Sequence, residues 1–410
     1  MTVDYQVHTL SNGIRILLKH SPSPITHCCF VVNAGSRDEA EGKEGLAHFI
    51  EHLLFKQTET RNTNQILNRL ELVGADLNAY TAKEYTCVHA SFLGQYLERT
   101  VDLFEDILFH STFPDNEMEK ERGVILDEIA SYLDQPDEAI QDDFEELLFK
   151  DHPLGNNILG TPKSVSALKK SDIDSFLLAN YNTSEMVFAV IGDHDLKTLI
   201  KLGEKYFGRI NENRAVKLRV APPAASNAVL KAARPIAQTH CVVGGRAYPS
   251  AHPYKNALLL LNNLLGGIGM SNRLNLEIRE KYGIAYSIES NYVPLSDTGI
   301  FSVYFGTDSE KSEKALRLVH RELKKLREQK LGSLQLHQAK QKFTGQIALA
   351  EENRAGLIIS MAKSLLDFGC VDTLEQVIAK INAVTAGQLL EISNEIFDDK
   401  LTTLIFEPKQ

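Results

Sequence analysis

The stretch Gly45-Leu46-Ala47-His48-Phe49-Ile50-Glu51-His52-Leu53-Leu54-Phe55-Lys56 carries the strongest fold signal and the strongest chemical signal in this sequence of 410 residues. Its apolar residues recur at the spacing of a helix. Residues four apart lie on one face of a helix, with Cβ atoms about 5–6 Å apart. His48 and His52 can therefore offer two imidazole nitrogens to one metal ion.

Glu51 lies beside the two histidines in the order HxxEH, which reverses the commoner HExxH. A carboxylate at this position can act as a general base for water at a metal site. The reversed order is itself a signature of zinc metalloproteases. The alternative is a solvated helix face that carries these residues by chance. The apolar surroundings favour a metal, because burying unpaired polar groups is costly.

A third metal ligand must come from elsewhere, since a catalytic zinc usually has three protein ligands and one open position. Our candidate is Glu128. Glu121 and Glu128 are two turns apart in a helical-looking segment and share a face. One carboxylate can bind the metal ion, while the other accepts a hydrogen bond from a ligating histidine and so orients its ring. We therefore expect one Zn²⁺ per chain, held by His48, His52 and Glu128, with Glu121 in support.

The same order of strands and helices recurs on both sides of a stretch rich in alanine and proline. We predict an N-terminal metal-binding domain at 1–213, a linker at 214–237 and a C-terminal domain at 238–410. Each domain is expected to be α+β, with an antiparallel-rich sheet covered by helices on one face.

When the two halves are aligned, each ionisable residue of the predicted metal site faces a neutral residue in the second half. It sets Leu259 against His48, Asn262 against Glu51, Asn263 against His52 and Gln346 against Glu128. The C-terminal domain is therefore expected to bind no metal.

Composition excludes several other classes of function. The formal net charge is −10, with charges of both signs interspersed, which argues against nucleic acid as a partner. No apolar run approaches the roughly 18 residues that span a bilayer, so no membrane segment is expected. The N-terminal residues lack the pattern of a secretory signal. We expect a cytoplasmic protein.

The motif at 45–56 resembles that of the M16 family of metallopeptidases, the pitrilysin and mitochondrial-processing-peptidase group, also called inverzincins. Glu128 follows His52 at the family's distance, with 75 residues between them. The resemblance extends over nearly the whole chain and implies two ferredoxin-like α+β domains. It further implies a chamber formed by two such chains or by one chain of double length. We therefore expect a homodimer with composite active sites.

Two further segments carry the resemblance and suggest roles for more residues. The block from Gly266 to Ser287 resembles the segment that supplies an Arg and a Tyr to the active site in this family, and by that match the pair is Arg279 and Tyr286. A second segment resembles the family's substrate-binding strand, to which an extended peptide would add by main-chain hydrogen bonds. This predicted strand comprises Leu77, Asn78, Ala79, Tyr80 and Thr81.

The sequence thus predicts a zinc-dependent endopeptidase that hydrolyses unfolded peptides or oligopeptides inside a chamber, with Glu51 as the general base. The alternative is a non-catalytic or partner-dependent assembly subunit of the same fold. The intact Glu51 argues against a subunit without catalysis.

Overall fold

The computed structural model describes residues 5–223, 227–398 and 401–409, so residues 224–226 of the predicted linker lie outside it. The chain divides into two compact units, each built from three segments. The first unit comprises Met1–Ala130, Asn156–Arg219 and Ala350–Thr373. The second unit comprises Ser131–Gly155, Val220–Leu349 and Leu374–Gln410.

Within residues 5–213, the structure has six strands and eight α-helices. In chain order they are β1 (Gln6–Thr9), β2 (Arg15–His20), β3 (Ile25–Val32), α1 (Leu46–Leu53), α2 (Thr63–Glu71), β4 (Asp76–Thr81), β5 (Thr86–Leu93), α3 (Leu97–Phe109), α4 (Asp115–Tyr132), α5 (Pro136–Leu148), α6 (Pro162–Ala167), α7 (Lys170–Asn180), β6 (Met186–Gly192) and α8 (Leu196–Tyr206).

The described residues of the second half follow a similar order, with five strands, six α-helices and a π-helical segment at Asn275–Glu280. The elements are β7 (Val229–Arg234), β8 (Thr239–Ala247), α9 (Lys255–Gly266), β9 (Ser287–Pro294), β10 (Gly299–Thr307), α10 (Ser312–Glu328), α11 (Ser333–Ala350), α12 (Arg354–Phe368), α13 (Leu374–Ala383), α14 (Ala386–Ile396) and β11 (Thr402–Pro408).

The two sheets share a five-strand topology, to which the first sheet adds β1 as a further edge strand. Strand order is β1-β2-β6-β3-β5-β4 in the first unit and β7-β11-β8-β10-β9 in the second. The only parallel pairs in the described sheets are β2 with β6 and β7 with β11, which occupy equivalent places. The predicted fold class, two homologous α+β domains with antiparallel-rich sheets, is confirmed.

Helices cover both faces of each sheet, which corrects the expectation that only one face is covered. In the first unit, α1, α3 and α8 pack on one face around Phe30 and Phe188. The opposite face, which includes Val31 and Val187, packs against α12. The physical reason is visible in β6, where all seven residues are buried and apolar or glycine, without the alternation of a half-exposed strand.

The helices on the second face are exchanged between the halves of the sequence. Helix α12 comes from the second half of the chain but belongs to the first unit, where Ile358 and Leu365 are buried against the sheet. Helix α5 comes from the first half and belongs to the second unit, where Ile140 and Phe144 pack beside Tyr304. The compact units therefore differ from the continuous ranges 1–213 and 238–410.

The predicted linker also contains regular structure. Strand β7 lies inside the range 214–237 and pairs in parallel with β11 as the edge of the second sheet. Its residues are mostly exposed, and an exposed edge strand rich in alanine lacks the alternation by which a strand is recognised.

Among the described residues, no helix is long and apolar enough to cross a membrane.

A close backbone contact fixes the start of α1. Gly45 precedes the helix with φ at +91°, and a Cβ placed on Gly160 would lie 2.3 Å from the carbonyl oxygen of Glu44. Gly160 itself has φ at +76°. Only glycine suits position 160, because the positive φ and the closeness of the Glu44 carbonyl both exclude a side chain.

We predict that Gly160→Ala destabilises the protein far more than Gly74→Ala. Gly74 has a similar φ of +71°, but a Cβ there meets nothing within 4 Å. Gly74→Ala should cost about 1–2 kcal/mol for backbone strain alone, whereas Gly160→Ala adds overpacking and should cost roughly 2–5 kcal/mol in total. Urea unfolding of the two variants measures the difference. Equal losses of stability in the two variants would show that the close approach of Gly160 to Glu44 does not matter.

Candidate active site

Helix α1 presents its polar residues on one face because its apolar residues occupy the core. Phe49, Ile50 and Leu53 are buried in the core of the first unit. Residues three and four apart share a helix face, so His48, Glu51 and His52 lie together on the opposite side. His48 is nevertheless buried.

Helix α4 supplies the carboxylates that face these histidines. Glu121 and Glu128 lie two turns apart on α4, as their spacing predicts. Glu121 is buried, while the side chain of Glu128 is 43% exposed. The site therefore opens toward solvent on the side of Glu128.

Three ligand atoms converge between the two helices. Glu128 Oε2 lies 3.8 Å from His48 Nε2 and 3.6 Å from His52 Nε2. Both distances exceed that of a hydrogen bond, so the three groups face one another across a small gap. Among the residues that the structure describes, this is the only set of three or more His, Cys, Asp or Glu side chains suited to a metal ion.

The chemistry of this set fits zinc. Two imidazole nitrogens and one carboxylate oxygen form a common catalytic zinc set, and ligand atoms around a tetrahedral zinc lie roughly 3.3 Å apart. Burial, and to a lesser extent the nearby His52, lowers the pKa of His48 to about 4. His48 is thus neutral near pH 7, which is the form that binds a metal.

Glu121 and Lys56 orient His52. Glu121 Oε2 lies 3.1 Å from His52 Nδ1, and Glu121 Oε1 lies 2.7 Å from Lys56 Nζ. When the Nδ1–H group of His52 donates a hydrogen bond to Glu121, the lone pair of Nε2 points toward Glu128. Lys56 was not anticipated as a partner of Glu121. By contrast, His48 Nδ1 is buried without a hydrogen-bond partner among the described residues.

Glu51 is held by the last residue of β4. The hydroxyl of Thr81 donates to Glu51 Oε2 over 2.7 Å. Burial raises the pKa of Glu51, while the Thr81 hydroxyl and then His52 oppose this effect. A neutral donor, and not a cation, therefore fixes the carboxylate beside the metal-binding set.

Strand β4 contains all five residues of the predicted substrate strand. It is the edge strand of the first sheet and pairs with β5 only, and no described strand pairs with its outer edge. Leu77 and Ala79 pack on the α1 side, whereas Tyr80 packs on the α12 side, and Asn78 is exposed. A peptide that pairs with the outer edge would meet an Ala79 N–H that donates to Asn78 Oδ1 over 2.8 Å and a Thr81 N–H that donates to Glu51.

Glu39 caps the metal-bearing helix from outside it. Its two carboxylate oxygens accept hydrogen bonds from the backbone N–H groups of Gly45, at 3.1 Å, and Ala47, at 2.8 Å. These N–H groups have no partner within the helix. Burial raises the pKa of Glu39 to about 8, although the same two N–H groups lower it. Glu39 lies six residues before the helix cap, so no capping pattern in the sequence reveals it.

Buried ion pairs join the loop before α1 to the turn after β4. Arg37 donates to Glu84 over 2.6 Å, and both side chains are almost fully buried. Arg219 binds Asp38 through two nitrogens at 2.7 and 2.8 Å and also donates to the backbone oxygen of Glu84. Bidentate pairs of this kind fix orientation as well as distance.

The second unit replaces the metal-binding set with neutral amides. Asn263, aligned with His52, donates to Gln346 Oε1 over 2.8 Å, and Gln346 is the residue aligned with Glu128. Gln346 Nε2 in turn donates to the backbone oxygen of Ile268 over 2.9 Å. The residue pair that the sequence comparison aligned with two ligands thus forms a direct hydrogen bond.

Arg279 and Tyr286 both lie in the second unit. Arg279 is in the π-helical segment before β9. Tyr286 precedes β9, is 57% exposed and donates to Asp308 over 2.9 Å. Their participation in the site of α1 remains a prediction.

Two repeated α+β units, with an HxxEH helix and a His-His-Glu set in the first, are the arrangement of an inverzincin. Comparison with known families agrees. The description "Insulinase (Peptidase family M16)" matches residues 15–162, and "Peptidase M16 inactive domain" matches residues 167–343. The chain belongs to peptidase family M16.

Relatives and solved structures match over the full length. An uncharacterized zinc protease of Mycobacterium leprae is 33% identical over 98% of this chain and 91% of its own. An uncharacterized zinc protease of Rickettsia bellii is 30% identical, and the match covers 100% of this chain and 98% of that protein. The structure of a peptidase M16 inactive domain from Pseudomonas fluorescens has a TM-score of 0.91 at 20% identity, covering 100% of this chain and 98% of that one. A Helicobacter pylori protease has a TM-score of 0.91 at 22% identity, covering 98% and 99%.

We predict that Glu39→Ala destabilises the metal-free protein by about 1–3 kcal/mol, because two buried N–H groups lose their acceptor. Glu41→Ala is the matched control, since Glu41 lies in the same loop and is exposed. Urea unfolding in the presence of a chelator measures both variants without a contribution from metal binding. Equal stability of the two variants would show that the cap contributes nothing.

Proposed function

We propose that this chain is a zinc-dependent endopeptidase that hydrolyses unfolded peptides or oligopeptides. The observation that carries the proposal is the convergence of His48, His52 and Glu128, each with one ligand atom within 4.8 Å of the others, beside Glu51 on the same helix. Membership of a peptidase family and relatives named as zinc proteases support it. The cytoplasmic location stays a prediction.

His48, His52 and Glu128 would hold the zinc ion, and Glu121 would keep His52 oriented toward it. When bound, zinc supplies a Lewis acid that polarises a peptide carbonyl and makes water easier to deprotonate. The side of the site at Glu128 is open to solvent, so a peptide can approach there.

Glu51 would move the protons of the reaction. Its carboxylate accepts a proton from the attacking water and later passes it to the leaving amine, which is general acid–base catalysis by one group. Tyr286 would donate a hydrogen bond to the oxyanion that develops on the substrate. To do so, its phenol must exchange Asp308 for the substrate. Arg279 would position the substrate or support the tyrosine.

A peptide would bind as an additional strand beside β4. The unpaired outer edge of β4 offers main-chain groups along Leu77 to Thr81. Main-chain hydrogen bonds are nearly indifferent to side chains, and they require an extended partner. The proposed substrate class is therefore unfolded peptides and not folded proteins.

We predict that Glu51→Gln lowers kcat by about 10²–10⁴-fold while zinc stays bound, because it removes the proton acceptor and no ligand. Glu128→Gln should instead release zinc. Glu119→Gln is the matched control, since Glu119 lies on the same helix and its side chain is 77% exposed. Zinc content by plasma emission and cleavage of a quenched peptide library measure the two effects.

These results can also refute the assignment. Loss of zinc from Glu51→Gln would overturn the division of roles between base and ligands. Full zinc and activity in Glu128→Gln would remove Glu128 from the ligand set. A wild-type chain that binds zinc but cleaves no peptide in the library would favour the non-catalytic or partner-dependent subunit.

We also propose that the chain acts as a homodimer with composite active sites, in which the partner chain contributes Arg279 and Tyr286. Cyclic two-fold dimers are the commonest symmetric assembly. The resemblance of this chain to short members of its family, which enclose a chamber between two subunits, supports the proposal.

Mixing two inactive variants tests this arrangement. We expect Glu51→Gln and Tyr286→Phe chains to regain activity after subunit exchange, up to about one intact site per mixed dimer. The reason is that in a mixed dimer with shared sites, one site carries both defects and the other carries neither. If each chain holds a complete site, every site keeps one defect and the mixture stays inactive. Mass spectrometry of differently tagged chains confirms that exchange has occurred.

A further inference from the structure

The hydroxyl of Thr81 joins the edge strand to the candidate general base. Thr81 is the last residue of β4, and its Oγ1 lies 2.7 Å from Glu51 Oε2. The same oxygen is 3.5 Å from the backbone carbonyl of Ala47, so the carboxylate is the closer acceptor. A carboxylate can only accept, so the threonine hydroxyl donates.

Glu51 has few other restraints on its side chain. A glutamate has three rotatable side-chain bonds, and fixing such a chain costs conformational entropy. The ion pairs of the site go to Glu121 and Glu128, whereas Thr81 donates to the carboxylate of Glu51 from its hydroxyl and from its backbone N–H.

We propose that Thr81 is a positioning residue for the reaction, whose hydroxyl holds the Glu51 carboxylate in the orientation that proton transfer requires. This inference rests on the proposed function of Glu51. Proton transfer needs a heavy-atom separation of about 2.6–3.2 Å, and a misplacement of about 1 Å can cost on the order of 100-fold in rate. Because Thr81 is also part of the proposed substrate strand, one residue fixes the base relative to the bound peptide.

The second unit contains a related contact that serves structure alone. Aligning Gly74 with Gly283 sets Thr81 against Ser290 in β9. Ser290 donates to the backbone oxygen of Asn262 over 3.1 Å, and Asn262 is the residue aligned with Glu51. A hydroxyl that joins this strand to the helix is thus a feature of both units. In the first unit the closer acceptor of this hydroxyl is a carboxylate, with a backbone oxygen farther away.

This pair of contacts supplies a matched control. Thr81→Val keeps the shape of the side chain and removes the hydroxyl, whereas Thr81→Ser keeps the hydroxyl. Ser290→Ala removes the equivalent hydroxyl from the unit whose described residues include no metal-binding set. Each deletion removes one hydroxyl that joins a strand to a helix, so Ser290→Ala reports the structural effect of losing such a contact.

The experiment compares the three variants with the wild type. We expect Thr81→Val to lower kcat by about 10–100-fold, with full zinc content and with KM within about threefold of the wild-type value. Thr81→Ser should restore kcat to within about threefold, and Ser290→Ala should leave it unchanged. Crystal structures of the metal-free variants give a readout independent of activity: Glu51 should leave its position in Thr81→Val and keep it in Thr81→Ser.

Three results would overturn the positioning role. The first is equal kcat for Thr81→Val and Thr81→Ser. The second is an unmoved Glu51 in the metal-free Thr81→Val structure. The third is a loss of zinc or of folded protein in Thr81→Val that accounts for its lost activity, which would make Thr81 a structural residue. A wild-type chain without peptidase activity would overturn the proposed function together with this role, whereas an active wild type isolates the role of Thr81.

Discussion

The placement of a polar helix face inside the first unit is the constraint on which the rest of the site depends. Helix α1 is too short to be stable alone, and its apolar face must be buried for it to form. That burial draws His48, Glu51 and His52 away from water, and each buried polar group then needs a partner. His52 has its partner on α4 and Glu51 at the end of β4, whereas Glu39 binds the backbone N–H groups at the start of the helix. His48 Nδ1 has no partner among the described residues.

The exchanged helices determine how far each half of the chain can fold by itself. The central strands of the first sheet are apolar on both faces, and α12 covers the second face only after the chain has passed through most of the second half. A fragment ending at 213 would leave Leu17, Val31 and Val187 without that cover. The two units are therefore separate in their cores but linked in their folding.

The sequence predicted those features that depend on local spacing. Helical periodicity predicts that His48, Glu51 and His52 share one helix face and that Glu121 and Glu128 share another. The structure has the first three residues on α1 and the two glutamates on α4. The repeat of two α+β domains follows from the order of patterns. What periodicity cannot give is the identity of the surface on which a helix packs, so the exchange of α5 and α12 was not predicted. The unbroken apolar run of β6 was the available signal that both faces are covered.

Contacts between segments distant in sequence were also beyond prediction. Thr81 and Glu51 are 30 residues apart, and their hydrogen bond depends on how β4 lies against α1. Glu39 reaches the helix through a loop without any periodic pattern. The ion pair between Arg219 and Asp38 spans 181 residues. Each of these contacts becomes recognisable only when the backbone has been placed.

The second unit shows how the same backbone meets the same constraint without charged groups. Asn263 and Gln346 satisfy each other through one amide hydrogen bond, at the positions aligned with His52 and Glu128. Two neutral amides avoid the cost of burying charge. The equivalent sheet forms around them in the same strand order. This topology therefore forms without charged groups at the positions aligned with His52 and Glu128.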